Sequence, residues 1–193
     1  MTSVLAALAA FEPRHDEEAA DVARLRELAT QRDPWPRSLF PLHATGSAII
    51  VDPAGRRVLL RWHQRQQAWL QVGGHGDPGE SDPLTVALRE GAEETGLADL
   101  QPWPDAGQPV AIQVTVVPVA AGKGEPAHEH ADIRYALATT TPDGITPESD
   151  TAQLEWLSVE DALARATDEN LRIGLRRVAE LLERSRSSYT PRA

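Results

Sequence analysis

The sequence contains no cysteine among its 193 residues. This absence excludes a disulfide framework, a thiolate metal site and a cysteine nucleophile, and it fits a cytoplasmic protein. The chain also lacks any apolar run near the roughly 18 residues that a membrane-spanning helix needs. The apolar stretch at the N-terminus, MTSVLAALAAF, lacks the basic residues that precede the hydrophobic segment of a signal peptide. We therefore expect a protein that is neither exported nor inserted in a membrane.

Positive charge is scarce, with 19 Lys and Arg against 29 Asp and Glu and a formal net charge of -10. Such a balance repels a nucleic-acid backbone unless basic residues collect on one face. The stretch richest in arginine, residues 171–187, is interrupted by glutamates and has the apolar spacing of a helix. The sequence therefore predicts no nucleic-acid polymer as a partner.

The composition that is present, 41% hydrophobic and 25% charged, is typical of a folded globular protein. Apolar spacing predicts two helices within residues 1–31, and the prolines of residues 32–43 predict an irregular connector. We predict strands at 45–52, 57–63, 68–72, 109–119 and 131–140, a strand followed by a helix at 152–166, and a closing helix at 168–187. The strands do not alternate regularly with helices, which favours an α+β domain. We place a helical extension with a proline-rich connector at 1–42 and the domain at 43–190.

The clearest helix covers residues 82–95, with Pro83 suited to its first turn and Gly96 able to end it. Its predicted apolar side consists of Leu84, Ala87, Leu88 and Ala92. A glycine, Gly91, lies inside this helix, where glycine costs about 1 kcal/mol relative to alanine. Either a neighbouring element packs close to the helix at Gly91, or the glycine is a tolerated local defect.

Three glutamates, Glu90, Glu93 and Glu94, share one strip of this helix because residues three and four apart lie on a common face. Such a strip is most often a solvated surface. However, it follows the loop GGHGDPGESDP at 73–83, whose glycines let the backbone approach another group closely. Magnesium prefers oxygen ligands and commonly binds through a few carboxylates together with substrate phosphates. The arrangement is therefore a candidate metal site.

The stretch GHGDPGESDPLTVALREGAEETGL at 74–97 resembles the signature of the Nudix hydrolases. That signature is Gly, five residues, Glu, seven residues, then Arg-Glu-apolar-x-Glu-Glu-x-Gly-apolar. The residues that match it are Gly74, Glu80, Arg89, Glu90, Glu93, Glu94, Gly96 and Leu97. Two features depart from the pattern, because eight residues separate Glu80 from Arg89 and Gly91 replaces an apolar residue. The additional residue fits most easily at Ser81 or Asp82, before the helix.

The resemblance implies an α/β/α sandwich with a mixed β-sheet that hydrolyses a diphosphate bond with Mg²⁺ or Mn²⁺. The substrate would be a small molecule, a nucleoside diphosphate linked to another moiety or a similar compound. Glu90, Glu93, Glu94 and the Gly74 carbonyl would bind metal, and Glu80 and Arg89 would position these ligands. A metal ion would neutralise the diphosphate and activate a water molecule for in-line attack. Glu90 is the first candidate for the catalytic base, and the alternatives are Glu148 and Glu155.

Two other functions are weighed against hydrolysis. A Nudix-like domain that binds a nucleotide as a sensor would no longer need the carboxylates, and here all of them are present. Isomerisation of an isoprenoid diphosphate occurs on a related fold but uses a cysteine, which this chain lacks. The oligomeric state is open, with a homodimer as one option.

A second polar pattern lies in HEHADIR at 128–134, where His128, His130, Asp132 and Arg134 point to one side of an extended segment. This face either binds a metal or a phosphate, or it is the polar exterior of a strand. His75 lies in the glycine-rich loop beside the candidate metal site. We predict that His75, His128, His130 and Arg134 contact substrate.

Overall fold

The structure, a computed structural model, describes residues 3–122 and 124–188. Within these residues there are five α-helices and one short 3-10 helix at Pro142–Gly144. The α-helices are α1 (Val4–Ala10), α2 (Asp16–Gln31), α3 (Pro83–Thr95), α4 (Val159–Arg165) and α5 (Glu169–Ser188). The strands are β1 (Leu42–Asp52), β2 (Arg57–His63), β3 (Ala68–Leu70), β4 (Val72–His75), β5 (Gln101–Pro102), β6 (Gln113–Val119), β7 (His128–Ala138) and β8 (Leu154–Ser158).

The strands form one sheet in which β3, β2, β1, β7 and β5 are successive neighbours. The other three strands pair with members of this series, β4 with β1, β6 with β7 and β8 with β2. Helices and strands do not alternate as in a doubly wound protein. The predicted α+β class, with helices preceding the sheet, is confirmed. Residues 189 and 190, the last two of the predicted domain, lie outside the described residues.

Two compact units share the chain, and β1, β7 and α3 each contribute residues to both. The first unit contains residues 1–47, 73–90 and 110–135. Its buried apolar side chains include Leu8, Leu25, Trp35 and Ile133. In this unit β6 pairs antiparallel with β7, from Gln113 opposite Arg134 to Val119 opposite His128.

Helix α2 supplies carboxylates to strand β6. The Val114 N–H donates to Glu18 Oε1 at 3.3 Å, and the Val116 N–H donates to Asp21 Oδ2 at 2.8 Å. Glu18 is only 2% exposed. Alternate N–H groups of a strand point to the same side, so two N–H groups on one side of β6 are satisfied by side chains of α2. The N-terminal helices are therefore part of the first unit's fold and not a loose appendage.

The second unit contains residues 48–72, 91–109 and 136–193, of which the structure describes those up to 188. Strand β2 pairs antiparallel with β3 and β8 there. The longest of its helices, α5, buries Leu171, Leu175 and Leu182. Burial raises the pKa of Asp99, but hydrogen bonds from Thr139 and its neighbours outweigh that effect and hold the pKa below its usual value.

Three expectations about secondary structure need correction. Residues 73–75, part of the expected loop, belong with Val72 to strand β4, because this glycine-rich backbone pairs with β1. The two-residue strand β5 was not predicted at all. The predicted apolar side of α3 is correct for Ala87, which is buried, but Leu84, Leu88 and Ala92 are half-buried. Val86, Gly91 and Thr95 are buried instead.

No helix in the part of the chain that the structure describes is both long and apolar enough to cross a membrane.

Candidate active site

Arg89 on α3 is the centre of the polar network in the first unit. Its Nε and Nη2 donate to the carboxylate of Glu80 at 3.1 Å and 3.0 Å. Its Nη1 donates to Glu90 Oε1 at 3.0 Å, and Nη2 also donates to the backbone carbonyl of His75 at 2.8 Å. One planar guanidinium therefore joins the loop, strand β4 and the helix. A rigid fork of donors is suited to such a task, because several acceptors are fixed at once.

The loop carboxylate of Glu80 is also held by backbone. The Asp77 N–H donates to Glu80 Oε2 at 2.7 Å, and the Glu80 N–H donates to the Asp77 carbonyl at 2.9 Å. The hydrogen bonds from Arg89 are the main cause that lowers the pKa of Glu80. Glu80 is therefore a charged anchor for the loop at neutral pH.

Gly74 approaches the carboxylate of Glu90 so closely that no side chain fits between them. A Cβ atom at Gly74 would lie 2.5 Å from Glu90 Cδ and closer still to Oε1. Because ordinary contact begins near 3.4 Å, only glycine leaves Glu90 in this position. The first residue of the signature is therefore explained by a close approach to a carboxylate that follows sixteen residues later.

The other two glutamates of the strip belong to the second unit, one turn further along α3. Glu93 is exposed. Glu94 is 12% exposed and forms an ion-pair contact with Arg61 Nε at 3.4 Å. The same arginine donates to Glu148. The sequence does not single out Arg61, because no motif in strand β2 distinguishes a site residue from a solvated one.

The remaining candidate base, Glu155, is engaged elsewhere. Arg165 on α4 donates to both of its carboxylate oxygens, with Nη2 3.0 Å from Oε1. A bidentate pair of this kind engages both oxygens of Glu155 with one side chain of α4. Glu155 is therefore a less suitable base than Glu90.

The structure explains both departures from the signature. Helix α3 is continuous from Pro83 to Thr95, and the Asp82 side chain accepts a hydrogen bond from the Leu84 N–H at 3.0 Å. The additional residue therefore does not interrupt the helix. At Gly91 a Cβ atom would lie 2.9 Å from Leu100 Cδ1. Close packing accordingly explains Gly91 better than a tolerated defect does.

The four predicted substrate-contacting residues lie in two groups within the first unit. Arg134 is 3% exposed, and its guanidinium donates to Gln113 Oε1 at 2.8 Å, Asp132 Oδ2 at 3.0 Å and Ser47 Oγ at 3.2 Å. Asp132 is likewise buried. The alternative that this face is the polar exterior of a strand is therefore wrong, although a substrate contact of Arg134 stays a prediction.

The histidines form the second group. The Nε2 atom of His75 lies 3.1 Å from His43 Nε2 and 3.3 Å from His130 Nε2, and His128 Nε2 lies 3.2 Å from His130 Nε2. Burial and the neighbouring histidines lower the pKa of His75 to about 4 and that of His130 to about 3. Both rings are therefore neutral at pH 7. Sequence analysis did not identify His43, which no motif marks.

Comparisons with known proteins place this geometry in a family. The family model described as NUDIX domain matches residues 41–178. The fold resembles that of a Nudix-family hydrolase from Clostridium perfringens, with a TM-score of 0.55 and 28% sequence identity. The match covers 74% of this chain and 97% of that chain. No curated protein sequence matches the chain significantly.

Two further solved structures share the fold at lower identity. One is an Ap4A hydrolase of C. elegans in a binary complex, with a TM-score of 0.56 and 22% sequence identity over 72% of this chain and 97% of that chain. The other is a dihydroneopterin triphosphate pyrophosphohydrolase of E. coli, with a TM-score of 0.53 and 15% sequence identity over 73% of this chain and 95% of that chain. Since the family model covers well over half of the sequence and the signature residues form the network around Arg89, the chain belongs to the Nudix family of pyrophosphohydrolases.

Proposed function

We propose that the protein hydrolyses the pyrophosphate bond of a nucleoside diphosphate linked to another moiety, or of a similar small molecule, with Mg²⁺ or Mn²⁺. Membership of the Nudix family supports the class of reaction. The observation that carries the proposal is the network of Arg89, which holds Glu90 against Gly74 and ties both to Glu80. Such fixed carboxylates are needed where a reaction depends on the position of a charged group.

The proposed metal ligands are Glu90, Glu93, Glu94 and the carbonyl of Gly74. All of these donors are oxygen atoms, so the set fits a hard cation such as Mg²⁺ or Mn²⁺. The close approach of the Glu90 carboxylate to the backbone of Gly74 brings two of these donor residues together, which supports the same assignment. When bound, the cation would supply charge neutralisation at the diphosphate oxygens and a lowered pKa for water.

Glu90 is the proposed proton acceptor, and Arg89 is a positioning residue. Arg89 Nη1 donates to Glu90 Oε1 at 3.0 Å and so fixes the orientation of that carboxylate. Glu80 holds Arg89 and does not itself need to contact substrate. Glu148 is the second candidate for the base, and its pair with Arg61 connects it to Glu94.

The test is a screen of the purified full-length chain against diphosphate compounds, with and without Mg²⁺ or Mn²⁺, measuring the released phosphate or nucleotide. We expect turnover that needs the cation. Glu90→Gln should lower kcat by at least about 100-fold, since a positioned base contributes about 10²–10⁴-fold. Glu12→Gln is the matched control, because it removes an exposed glutamate outside the signature.

Turnover without a divalent cation would contradict the proposed reaction, and full activity of Glu90→Gln would contradict the role of Glu90 as the base. Saturable binding of a nucleotide without turnover of any compound would favour the sensor instead. Loss of activity in Glu148→Gln together with retention in Glu90→Gln would keep the reaction but move the base to Glu148.

A further inference from the structure

Four of the six histidines of the chain lie together in the first unit. This histidine cluster consists of His43 on β1, His75 on β4, and His128 and His130 on β7. One ring nitrogen from each of His43, His128 and His130 lies within 4.8 Å of the other two, and His75 Nε2 lies 3.1 Å from His43 Nε2 and 3.3 Å from His130 Nε2. Segments far apart in the sequence therefore bring four imidazoles to one point.

Two of the rings are oriented by backbone carbonyls. His43 Nδ1 lies 3.1 Å from the Leu39 carbonyl, and His128 Nδ1 lies 2.8 Å from the Pro126 carbonyl. A carbonyl only accepts hydrogen bonds, so each Nδ1 must carry its proton. In the neutral ring Nε2 then presents a lone pair, and in both rings Nε2 is the atom that meets another histidine. Metal-ligating histidines commonly donate their other ring N–H to a carbonyl in this way.

Hydrogen bonds alone cannot account for all three contacts of the cluster while its rings are neutral. The contacts form a path from His43 through His75 and His130 to His128. Both ends of the path are acceptors, so His75 and His130 must each donate Nε2–H outward. The contact of 3.3 Å between His75 and His130 then joins two donors. At most two of the three contacts are hydrogen bonds at any time, whereas a cation would accept all four lone pairs together.

The contacts along this path are as short as the ligand spacings of a tetrahedral site. Ligand nitrogens at about 2.0–2.1 Å from a zinc ion in tetrahedral geometry lie about 3.3–3.4 Å from one another. The Nε2 to Nε2 distances between successive rings of the path are 3.1 Å from His43 to His75, 3.3 Å from His75 to His130 and 3.2 Å from His130 to His128. Phe40 packs edge-on against the His128 ring at 5.3 Å between centroids, which gives the cluster an apolar neighbour.

We propose that the histidine cluster is a binding site for a divalent transition metal of the zinc class, distinct from the carboxylates of α3. Imidazole nitrogen suits Zn²⁺, Co²⁺, Ni²⁺ and Cu²⁺, whereas Mg²⁺ prefers oxygen. The ligands are His43, His128 and His130, with His75 as the fourth. This assignment replaces substrate contact as the role of His75, His128 and His130, and it does not depend on the proposed hydrolysis.

The test is a calorimetric titration of Zn²⁺ alone into the metal-stripped, tag-free full-length chain, with excess Mg²⁺ present to occupy oxygen ligands. We expect one Zn²⁺ per chain. Co²⁺ in its place should give the intense visible bands of a tetrahedral ion. His130→Asn should weaken binding by at least about 100-fold, the upper range for loss of a partner outside the ligand set. His63→Asn, which changes a histidine on β2 outside the cluster, should leave the affinity unchanged.

A further variant distinguishes loss of a ligand from loss of the fold. His130→Cys replaces the imidazole with a thiolate, which zinc and cobalt also bind. This variant should keep the metal and add a thiolate-to-cobalt charge-transfer absorption, a signal that a structural role of His130 would not produce.

Three outcomes would overturn the proposal. The first is absence of saturable Zn²⁺ binding by the wild-type chain. The second is binding that survives His130→Asn and is lost in the double variant Glu93→Gln, Glu94→Gln, which would place zinc on the carboxylates. The third is binding of a non-hydrolysable diphosphate that depends on His130 while Zn²⁺ does not bind, which would restore substrate contact as the role of the cluster.

Discussion

Replacement of Gly74 by alanine tests the close approach on which the candidate active site depends. The new Cβ atom would lie 2.5 Å from Glu90 Cδ, whereas ordinary contact begins near 3.4 Å. The φ angle of Gly74 is not in the left-handed region, so alanine adds no backbone strain there. The Glu90 carboxylate must therefore move by about 1 Å, a displacement that can cost about 100-fold in rate at a reacting centre.

The magnitudes separate an effect on activity from an effect on folding. A 100-fold loss of kcat corresponds to about 2.7 kcal/mol in activation free energy. A displaced Glu90 loses a charged hydrogen bond from Arg89, which lowers the free energy of unfolding by about 1.5 kcal/mol or more. Alanine also restricts the conformations of the unfolded chain, which raises the free energy of unfolding by about 0.4–1 kcal/mol. We therefore expect a large loss of activity and a change in the free energy of unfolding of about 1 kcal/mol.

The assay measures kcat with a diphosphate substrate and the free energy of unfolding in urea. Gly144→Ala is the matched control, because a Cβ at Gly144 would meet its nearest neighbours at 3.9 Å. A double-mutant cycle with Glu90→Ala isolates the contact, since Gly74→Ala should have almost no further effect once the side chain of Glu90 is gone. Wild-type activity of Gly74→Ala, or an undiminished effect in the Glu90→Ala background, would refute the reasoning.

Three further changes have expected outcomes. Arg89→Lys should lower kcat by about 10–100-fold with little change in stability. The reason is that an ammonium cannot hold Glu80 bidentately and also bond Glu90 and the His75 carbonyl, and a kcat equal to wild type would contradict this positioning role of Arg89. Glu18→Ala should lower the free energy of unfolding in urea by about 2 kcal/mol, because it leaves the Val114 N–H without its acceptor. Glu18→Gln keeps an acceptor oxygen and should cost less than half as much. Equal losses in the two variants would argue against Glu18 as the acceptor for Val114. Asp99→Asn should destabilise the chain by about 1–2 kcal/mol at pH 7. Because the folded-state pKa of Asp99 is lowered, the stabilisation by its carboxylate is complete above the usual pKa of 3.8 and is lost as the pH falls through the folded-state pKa. The difference from wild type in the free energy of unfolding in urea should therefore narrow at pH 3, and a constant difference would exclude the carboxylate charge as its cause.

Local signals predicted most of the secondary structure. Helix α3 has a proline in its first turn, and Gly96 follows its last residue, so its bounds were predicted to within one residue. Strand β2 and the succession of β8 and α4 follow from periodicity in the same way. These elements are set by contacts within a short window of sequence, which is why a single sequence reveals them.

The failures all depend on contacts between distant segments. Strand β4 consists largely of glycine, which has low strand propensity, and it exists because β1 pairs with it. The predicted face of α3 relied on hydrophobicity, yet the helix buries Gly91 beneath Leu100 and places Thr95 in the interior. His43 could not be found for a similar reason, since its neighbours in the histidine cluster follow 32 residues or more later in the chain.

Neighbouring arginines offset part of the negative charge of the α3 carboxylates. Three neighbouring carboxylates repel one another, but Glu90 is paired with Arg89 and Glu94 is in contact with Arg61. Repulsion alone therefore does not demand a metal. The two pairs differ, because Arg89 donates a hydrogen bond to Glu90 at 3.0 Å whereas Arg61 Nε contacts Glu94 at 3.4 Å and has no hydrogen-bond acceptor among the described residues. A cation at Glu94 would displace a contact that lacks hydrogen-bond geometry, whereas Glu90 would keep its bond from Arg89 on one oxygen. The case for the metal accordingly depends on oxygen donors fixed by Arg89 beside Gly74, and only secondarily on excess negative charge.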